Sequence, residues 1–214
     1  FYREIVDGQV NEMPDIKSCE ATKIVENTFR DINIAFVNEL AKSFDVLGID
    51  TDVVIRAAAN KPFAFMPHFP SCGVGGHCIA VDPWFIVDSA PEEANLIRQA
   101  RLTNDAKPYY VIEKTLEAAS DIDQPIIACL GLAFKADIDD LRESPAIQIV
   151  NHLATKSVGQ IIAVEPNIEA TDFPASLMAG GVQLMSLDEA VRTANIVVIL
   201  VDHKEFKEID FKGL

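Results

Sequence analysis

The sequence predicts an α/β protein in which a long helical region precedes a parallel α/β unit. Apolar residues recur at helical spacing over residues 19–47, which predicts one long helix. Further along, continuously apolar runs alternate with helical patterns; these runs are 126–134, 160–166 and 195–203. Continuously apolar strands separated by helices are typical of a parallel sheet that is covered on both faces.

The long helix dominates the first half of the chain. Ser18 is its predicted N-cap and Gly48 its stop, because a serine oxygen satisfies a free amide and glycine accepts a left-handed conformation. Its apolar residues occupy two faces, so we expect burial on more than one side and a position between domains or subunits. The central helix of a single domain remains the alternative.

Two shorter helices and a loop complete the helical half. Thr51 is the predicted cap of a helix that ends at Ala59, before Pro62, and a third helix covers about 91–119. The loop over 61–77 contains three prolines and three glycines. A loop of this length in a compact chain is usually functional or disordered, and its phenylalanines favour order.

The second half alternates strands and helices. The strand at 126–134 ends at Lys135, and a helix begins at Ser144-Pro145, with serine as N-cap and proline at the first helical position. The remaining elements are a strand at 160–166, a short apolar piece at 182–185, a helix at 186–194 and a strand at 195–203. Because the pattern changes near Pro125, we predict two domains, residues 1–120 and 121–214.

Composition and charge exclude several classes of protein. The 214 residues include 18 basic and 33 acidic side chains, and the net charge of −15 argues against binding to a nucleic-acid backbone. No apolar run approaches the roughly 20 residues that span a bilayer, so we expect no membrane segment. Four cysteines are too few for a disulfide scaffold, and we expect a cytoplasmic protein. The first residue is Phe1 and not methionine, so we expect part of a longer protein.

The segment CGVGGHCIAVDPWF, residues 72–85, carries the clearest chemical signal. Its glycines, which let the backbone approach a ligand or adopt positive φ, are Gly73, Gly75 and Gly76. They do not form the G-x-G-x-x-G dinucleotide fingerprint, which the sequence lacks. Cys78 follows them where a loop meets structured chain, and a neighbouring base can make such a thiol a nucleophile. His77 and Asp82 are candidates for that base by proximity.

Three other interpretations of these cysteines stay open. In the first, Cys78 is a small buried hydrophobic residue. In the second, a metal ion is bound by His68, Cys72, His77 and Cys78. In the third, Cys72 and Cys78 form a redox pair. The spacings match neither the usual zinc patterns nor the usual redox motif, so we predict no metal site. Apolar surroundings predict that Cys19 and Cys129 belong to the core.

The cysteine segment resembles a known enzyme family. GVGGHCIAVDPWF resembles the catalytic-cysteine loop of the UDP-glucose/GDP-mannose dehydrogenase family, and its GGHC and DPWF are most like the members that act on UDP-N-acetylhexosamines such as UDP-N-acetylmannosamine. EATKIVENTFRDINIAFVNEL (20–40) resembles the family's central dimerisation helix, and CLGLAFKADIDDLRESPA (129–146) resembles the start of its Rossmann-like UDP-binding domain. The resemblance covers essentially the whole chain, and it implies that the family's N-terminal NAD-binding domain lies outside it.

This resemblance implies a reaction and its catalytic residues. The sugar C6 alcohol is oxidised to a carboxylate with two NAD⁺, and Cys78 adds to the intermediate aldehyde on the way to a thioester that water hydrolyses. Lys23 and Asn27 match the family's lysine and asparagine that stabilise the oxyanion, and their i, i+4 spacing puts both on one helix face. Asp82 matches an aspartate that assists proton transfer.

The resemblance also implies binding residues. Lys135 and Phe134 match contacts to the UDP-sugar, and the backbone of Gly73, Gly75 and Gly76 lines the sugar or diphosphate site. Arg142 matches an arginine that reaches NAD. Many relatives carry an arginine before the cysteine loop that contacts the partner subunit's substrate. This chain reads KPFAFMPHFP there, and Lys61 supplies charge without the planar fork of a guanidinium.

The implied partners are a UDP-sugar and a second copy of the chain, which pairs through helix 19–47. A function of another class stays open: a non-catalytic module that binds a UDP-sugar and dimerises, with Cys78 incidental. The reactivity of the thiol, and its protection by a UDP-sugar, distinguish the two.

Overall fold

The chain folds as five helices followed by alternating strands and helices. The computed structural model describes residues 1–156 and 158–209. The first helices are α1 (Tyr2–Ile5), α2 (Ile16–Leu47), α3 (Thr51–Ala58), α4 (Cys78–Ser89) and α5 (Asn95–Ala119). The elements that follow are β1 (Ile126–Leu130), α6 (Pro145–Thr155), β2 (Gln160–Val164), α7 (Ala175–Ala179), β3 (Gln183–Leu184), α8 (Leu187–Thr193) and β4 (Ile196–Ile199), with short 3-10 turns at Ala170–Asp172 and Lys204–Glu208. This order confirms the predicted α/β class.

The long helix α2 begins earlier than predicted. Asp15 and not Ser18 is its N-cap, because the Asp15 carboxylate accepts hydrogen bonds from the Ser18 backbone N–H at 2.8 Å and from its hydroxyl at 2.9 Å. These bonds lower the pKa of Asp15, and a carboxylate here also compensates the positive end of the helix. Gly48 ends the helix at φ 66°, as predicted.

Other helix boundaries also differ from the prediction. Asp50, and not Thr51, caps α3, since its carboxylate accepts from two backbone amides of the first turn. The helix predicted over 91–119 begins only at Asn95. A separate helix, α4, directly follows the glycine loop, and Pro83 in its interior obscures it at the level of sequence.

The face of α2 that is buried within this chain is largely polar. Its buried residues are Asn27, Thr28, Asp31, Ala35, Val37 and Asn38. Arg101 of α5 donates to Asp31 with 2.5 Å between Nη1 and Oδ1, and Asn104 donates to the same Oδ1 at 2.8 Å. A buried network of charge and hydrogen bonds therefore joins α2 to α5.

The predicted apolar stripe of α2 stays exposed within the single chain. Val25, Phe29 and Phe36 expose 58%, 52% and 56% of their surfaces. Within one copy of the chain this stripe is not covered, and burial of both apolar faces between domains or subunits stays a prediction. Among the residues that the structure describes, no helix combines the length and apolar character needed to cross a membrane.

The strands of the described chain form one parallel sheet in the order β3-β2-β1-β4. Ile127 of β1 pairs with Ile161 of β2 on one side and with Ile196 of β4 on the other. The prediction of a parallel sheet is confirmed, although each strand is shorter than its apolar run. β1 ends before Gly131, which turns the chain at φ 92° and lies so close to Val201 that a Cβ would come within 2.5 Å.

Helices cover the sheet on both faces, as predicted. On one face the second half of α5 packs with α6 and α7, through Ile112, Ile149, Leu153 and Leu177. On the other face α8 and the last 3-10 turn contribute Ala190 and Phe206. Because α5 lies N-terminal to the predicted boundary at residues 120 and 121, the core packing crosses it, and the division into two domains stays a prediction.

Candidate functional site

The glycine segment before Cys78 packs directly against the α/β half. A Cβ on Gly75 would lie 2.7 Å from the Glu143 carbonyl oxygen and 2.8 Å from Phe134 Cβ. Gly76, at φ 77°, lies against the Phe134 ring, where a Cβ would come within 3.2 Å. Glycine is therefore required for this close approach, which fixes the cysteine loop against the chain that follows β1.

A cavity of about 660 Å³ opens beside this contact, at the carboxyl ends of β1 and β4. Gly73, Phe134 and Lys135 line it, together with Val201 and Asp202. In open parallel sheets, ligands bind outside the carboxyl ends of the strands where the strand order reverses, and β1 is that point in this sheet. The structure thus brings three predicted substrate-binding residues to one cavity.

A second cavity, of about 670 Å³, opens on another side of the glycine segment. Gly76 and His77 line it together with Trp84 of α4 and Tyr109 of α5. The predicted glycines therefore have different positions: Gly73 faces the first cavity, Gly76 the second, and Gly75 makes the close contact between the two halves.

Cys78 is the first residue of α4 and is exposed, so its interpretation as a buried hydrophobic residue is wrong. The free amides at a helix N-terminus favour a negatively charged group. One turn later, Asp82 accepts a hydrogen bond of 2.5 Å from Asn27 Nδ2 of α2. The structure therefore brings two predicted catalytic residues, Asn27 and Asp82, together on the face of α4 that carries Cys78.

Lys23 and Arg142, the two cations predicted to contact substrate or cofactor, each pair with a carboxylate nearby in the chain. Lys23 is exposed, one turn before Asn27, and its ammonium lies 3.6 Å from the Glu26 carboxylate. Arg142 donates to both carboxylate oxygens of Asp140, at 2.9 and 2.6 Å, and these bonds lower the pKa of Asp140 to about 2. Arg142 is absent from the linings of both cavities.

The four cysteines are free thiols in different environments, and Cys72 and Cys78 are not bonded to each other. Cys129 in β1 is buried, as predicted. Cys19 is exposed because the first turns of α2 are open to solvent, so its assignment to the core is wrong. Burial raises the pKa of both Cys72 and Cys129 to about 12, which keeps these thiols protonated at neutral pH.

The metal ligands considered around Cys78 do not converge in the part of the chain that the structure describes. The three potential ligands that do converge there are Asp137, His203 and Glu205. Both ring nitrogens of His203 are already engaged: Nδ1 accepts from the Asp137 amide at 2.9 Å, and Nε2 lies 3.0 Å from Glu165. The ring therefore has no free lone pair for a metal ion.

The reasoning from sequence missed Glu165 and His203. The Glu165 carboxylate accepts from the amides of Leu132 and Ala133, at 2.7 and 3.0 Å, and from His203. Burial by itself raises the pKa of this carboxyl, but the hydrogen bonds from His203 and backbone amides outweigh it and lower the pKa to about 2. The signal that could have identified Glu165 is an acidic residue directly after a buried strand. The predicted strand 160–166 included Glu165, so this residue was not considered for the site.

Comparison with known families identifies both halves of the chain. Residues 17–106 match the central domain of the UDP-glucose/GDP-mannose dehydrogenase family. Residues 128–214 match the UDP binding domain of the same family. The chain belongs to this family. The cavity at the ends of β1 and β4 is lined by the match to the UDP binding domain, apart from residues 70–73 and Val111.

Curated and solved members of the family are similar along most of this chain. It is 50% identical over 196 residues to the NDP-N-acetyl-D-galactosaminuronic acid dehydrogenase of Ralstonia nicotianae, covering 92% of this chain and 45% of that protein. It is 48% identical over 210 residues to the UDP-N-acetyl-D-mannosamine dehydrogenase of Campylobacter jejuni, covering 98% of this chain and 51% of that protein. The structure of UDP-D-ManNAc dehydrogenase from Pyrococcus horikoshii superposes with a TM-score of 0.85 at 34% identity, covering 99% of this chain and 48% of that one. The chain thus spans about half the length of the relatives it matches.

The described residues do not fit a complete NAD site. The turn after β1 contains one glycine, Gly131, and Val201 packs against it, which closes the backbone to a pyrophosphate. Arg142, the predicted NAD contact, is occupied by Asp140. We therefore assign no NAD-binding role to these residues.

Proposed function

We propose that this chain forms the catalytic-cysteine and UDP-binding part of a nucleotide-sugar 6-dehydrogenase. The substrate is a UDP-N-acetylhexosamine, foremost UDP-N-acetylmannosamine, and the product is its uronate. One observation carries the proposal: the glycine segment that borders the cavity at the strand ends leads directly to the exposed Cys78. The proposal places the nucleotide in this cavity and directs its sugar along the glycine segment toward the thiol. The names of the Ralstonia and Campylobacter relatives support the N-acetylhexosamine class.

The nucleotide end of the substrate is proposed to bind beside Phe134 and Lys135. Lys135 brings a positive charge to the cavity of a chain whose net charge is −15, and a diphosphate requires such a local cation. The backbone of Gly73 borders the same cavity, which allows a ligand to approach the main chain closely.

The reacting end of the substrate is proposed to lie at the start of α4. The Cys78 thiolate adds to the C6 aldehyde, and the resulting oxyanion needs fixed hydrogen-bond donors. Asn27 donates one amide hydrogen to Asp82 and keeps its second for this oxyanion, with Lys23 one helical turn away. Asp82 assists proton transfer and directs the water that hydrolyses the thioester.

Conversion of the C6 alcohol to a carboxylate removes four electrons. We propose that two NAD⁺ accept them, bound outside these 214 residues. The contribution of this chain is to hold the substrate, to supply the nucleophile and to stabilise its adducts. The isolated chain is therefore expected to bind UDP and to lack turnover.

A homodimer through α2 is part of the proposal. The exposed stripe of Val25, Phe29 and Phe36 lies on one helix, and burial of such a stripe against a second copy removes apolar surface from water. Phe36→Glu is expected to convert the dimer to a monomer in size-exclusion chromatography with light scattering. Phe63→Glu, at a phenylalanine that is 69% exposed outside α2, is the control and leaves the dimer intact. A monomeric parent chain, or equal effects of both variants, contradicts this interface.

The substrate site is tested by alkylation of the two exposed cysteines. Iodoacetamide labels Cys78 and Cys19, and UDP-N-acetylmannosamine is expected to protect Cys78 at least severalfold while Cys19 serves as the internal control. Lys135→Ala removes the protection at the same ligand concentration. If UDP binds by calorimetry but the sugar nucleotide does not protect Cys78, the non-catalytic binding module is the better description.

Catalysis is tested by NADH absorbance. The chain mixed with UDP-N-acetylmannosamine and NAD⁺ is expected to produce none, and appreciable turnover would refute the assignment of NAD binding to other residues. In a full-length enzyme that contains this chain, Cys78→Ala is expected to abolish acid formation. Uronate production at the normal rate by that variant would refute the thioester mechanism.

A further inference from the structure

The wall of the cavity at the strand ends is flanked by two backbone amides that donate to side chains, and within it the Phe134 amide donates to the Asp140 carbonyl at 3.1 Å. We call residues 134–136 the wall segment, and all three line the cavity. Immediately before it, the Ala133 amide donates to Glu165 Oε2 at 3.0 Å. Immediately after it, the Asp137 amide donates to His203 Nδ1 at 2.9 Å. Neither anchor belongs to the ladder of the sheet, since both acceptors are side chains.

The two acceptors form one buried unit, which we call the anchoring pair, Glu165 and His203. Both side chains are 0% exposed, and His203 Nε2 lies 3.0 Å from Glu165 Oε2. Because Nδ1 accepts a backbone hydrogen, the ring proton lies on Nε2 and is donated to the carboxylate. The Asn167 side-chain amide donates to Glu165 Oε1 at 3.3 Å and lies 3.0 Å from His203 Nδ1, so it orients both groups.

The chain just after the wall segment makes a left-handed turn that side chains hold in place. Asp137 adopts φ 60°, a conformation that aspartate adopts more readily than most non-glycine residues. Its amide is fixed by His203, and its carboxylate accepts from the Lys204 amide at 2.9 Å. The chain before and after the segment is thus fixed by residues that follow β2 and β4, the two neighbours of β1.

We propose that Glu165 and His203 are positioning residues that hold the wall segment in the conformation that binds the nucleotide. This inference rests on the proposed function for its ligand, UDP. The anchoring pair is fully buried and does not touch the ligand itself, so it acts through Lys135, the residue of the wall segment that supplies the charge for the diphosphate. Loss of one anchor lets the segment leave its binding position, and the apparent Kd is inversely proportional to the fraction of time that the segment stays in that position.

The test compares His203→Gln with a matched control. Glutamine offers an N–H to Glu165 but no ring nitrogen to the Asp137 amide. Asn195→Ala is the control. Asn195 Oδ1 accepts from the Ile126 amide at 2.8 Å and so supports the start of β1, at the opposite end of that strand from the wall segment. We expect His203→Gln to raise the calorimetric Kd for UDP about tenfold and Asn195→Ala to change it less than twofold.

A double-mutant cycle separates positioning from a general loss of structure. In a Lys135→Ala background, His203→Gln is expected to change the Kd less than twofold, because the residue through which it acts is gone. Hydrogen exchange of peptides covering 131–137 is expected to accelerate in His203→Gln and not in Asn195→Ala. Equal effects of both variants on affinity, or additive effects with Lys135→Ala, would overturn the proposal.

Two further results keep the test decisive. If His203→Gln does not fold, Glu165→Gln takes its place in the same comparison, because it keeps the size of the buried side chain but replaces the carboxylate that accepts from the Ala133 amide. A higher Kd for UDP in Glu165→Gln than in Asn195→Ala is expected. Equal affinities would overturn the proposal. If the parent chain does not bind UDP at all, the proposed function fails, and the hydrogen-exchange comparison alone decides whether the anchoring pair holds the wall segment.

Discussion

Replacement of Arg101 by methionine is expected to destabilise this chain far more than loss of an equally short ion pair at its surface. Arg101 of α5 and Asp31 of α2 expose 1% and 0% of their side chains, with 2.5 Å between Nη1 and Oδ1. Methionine keeps most of the buried stem but removes the charge. Asp31 is then left as a buried carboxylate without its cation.

The magnitude follows from this burial. Removal of one partner from a buried ion pair costs about 3–5 kcal/mol, because the remaining charge stays out of water without compensation. Arg56 and Asp52 of α3 form the matched control, since Nε and Oδ2 are also 2.5 Å apart but the side chains are 69% and 52% exposed. Arg56→Met is expected to cost much less than Arg101→Met, as exposed pairs generally contribute little.

Urea unfolding followed by circular dichroism at neutral pH measures both costs. The double variant Arg101→Met with Asp31→Asn removes both charges and leaves Asn104 its acceptor, so it is expected to recover at least about 1 kcal/mol relative to Arg101→Met alone. Equal costs for Arg101→Met and Arg56→Met, or a double variant less stable than Arg101→Met, would refute the explanation by an uncompensated charge.

The same explanation predicts the direction of a pH effect. Burial raises the pKa of Asp31 even in the parent, although Arg101 opposes this, and loss of Arg101 raises it further. A raised pKa in the folded state means that stability is gained as the carboxyl takes up its proton and is lost as pH rises. The destabilisation by Arg101→Met is therefore expected to shrink as pH falls from 7 through the raised pKa of Asp31. A cost that is independent of pH would contradict this.

Three further predictions concern pH, packing and thiol access. The folded pKa of Glu165 is about 2 against an ordinary 4.5, so its ionised form contributes roughly 3 kcal/mol to the free energy of unfolding. This contribution is present above pH 4.5 and is lost as the pH falls toward 2. Glu165→Gln is therefore expected to make the free energy of unfolding depend less on pH in this acid range. Gly75→Ala is expected to cost about 1–3 kcal/mol and to weaken UDP binding, because its Cβ meets backbone at 2.7 Å, whereas Gly8→Ala meets nothing closer than 3.8 Å and is the control in the same assay. Dithionitrobenzoate at pH 7.5 is expected to react rapidly with the exposed Cys19 and Cys78, slowly with the half-buried Cys72, and with the buried Cys129 only after unfolding. Four fast thiols would contradict the burial of Cys129.

Local chemistry made much of the fold predictable. Continuously apolar runs identified β1, β2 and β4, and Ser144-Pro145 marked the start of α6, because an N-cap and a proline act within one turn. Helix starts at Ser18 and Thr51 were wrong, since an aspartate nearby provided a better cap in each case. The stripe of α2 was recognised as apolar, but a sequence does not state whether its own chain or a second copy covers it.

The candidate site, like the fold, was predictable from the sequence only where it depends on local spacing. The sequence by itself determined that Cys78 follows a glycine segment, that Asn27 lies one turn after Lys23, and that Lys135 follows a buried strand, because these are matters of spacing along the chain. Only the tertiary structure decided that Asn27 meets Asp82 and that Glu165 and His203 hold the chain around Lys135. Those contacts join segments tens of residues apart, and their partners are selected by packing and by the need to satisfy buried polar groups, which no local pattern encodes.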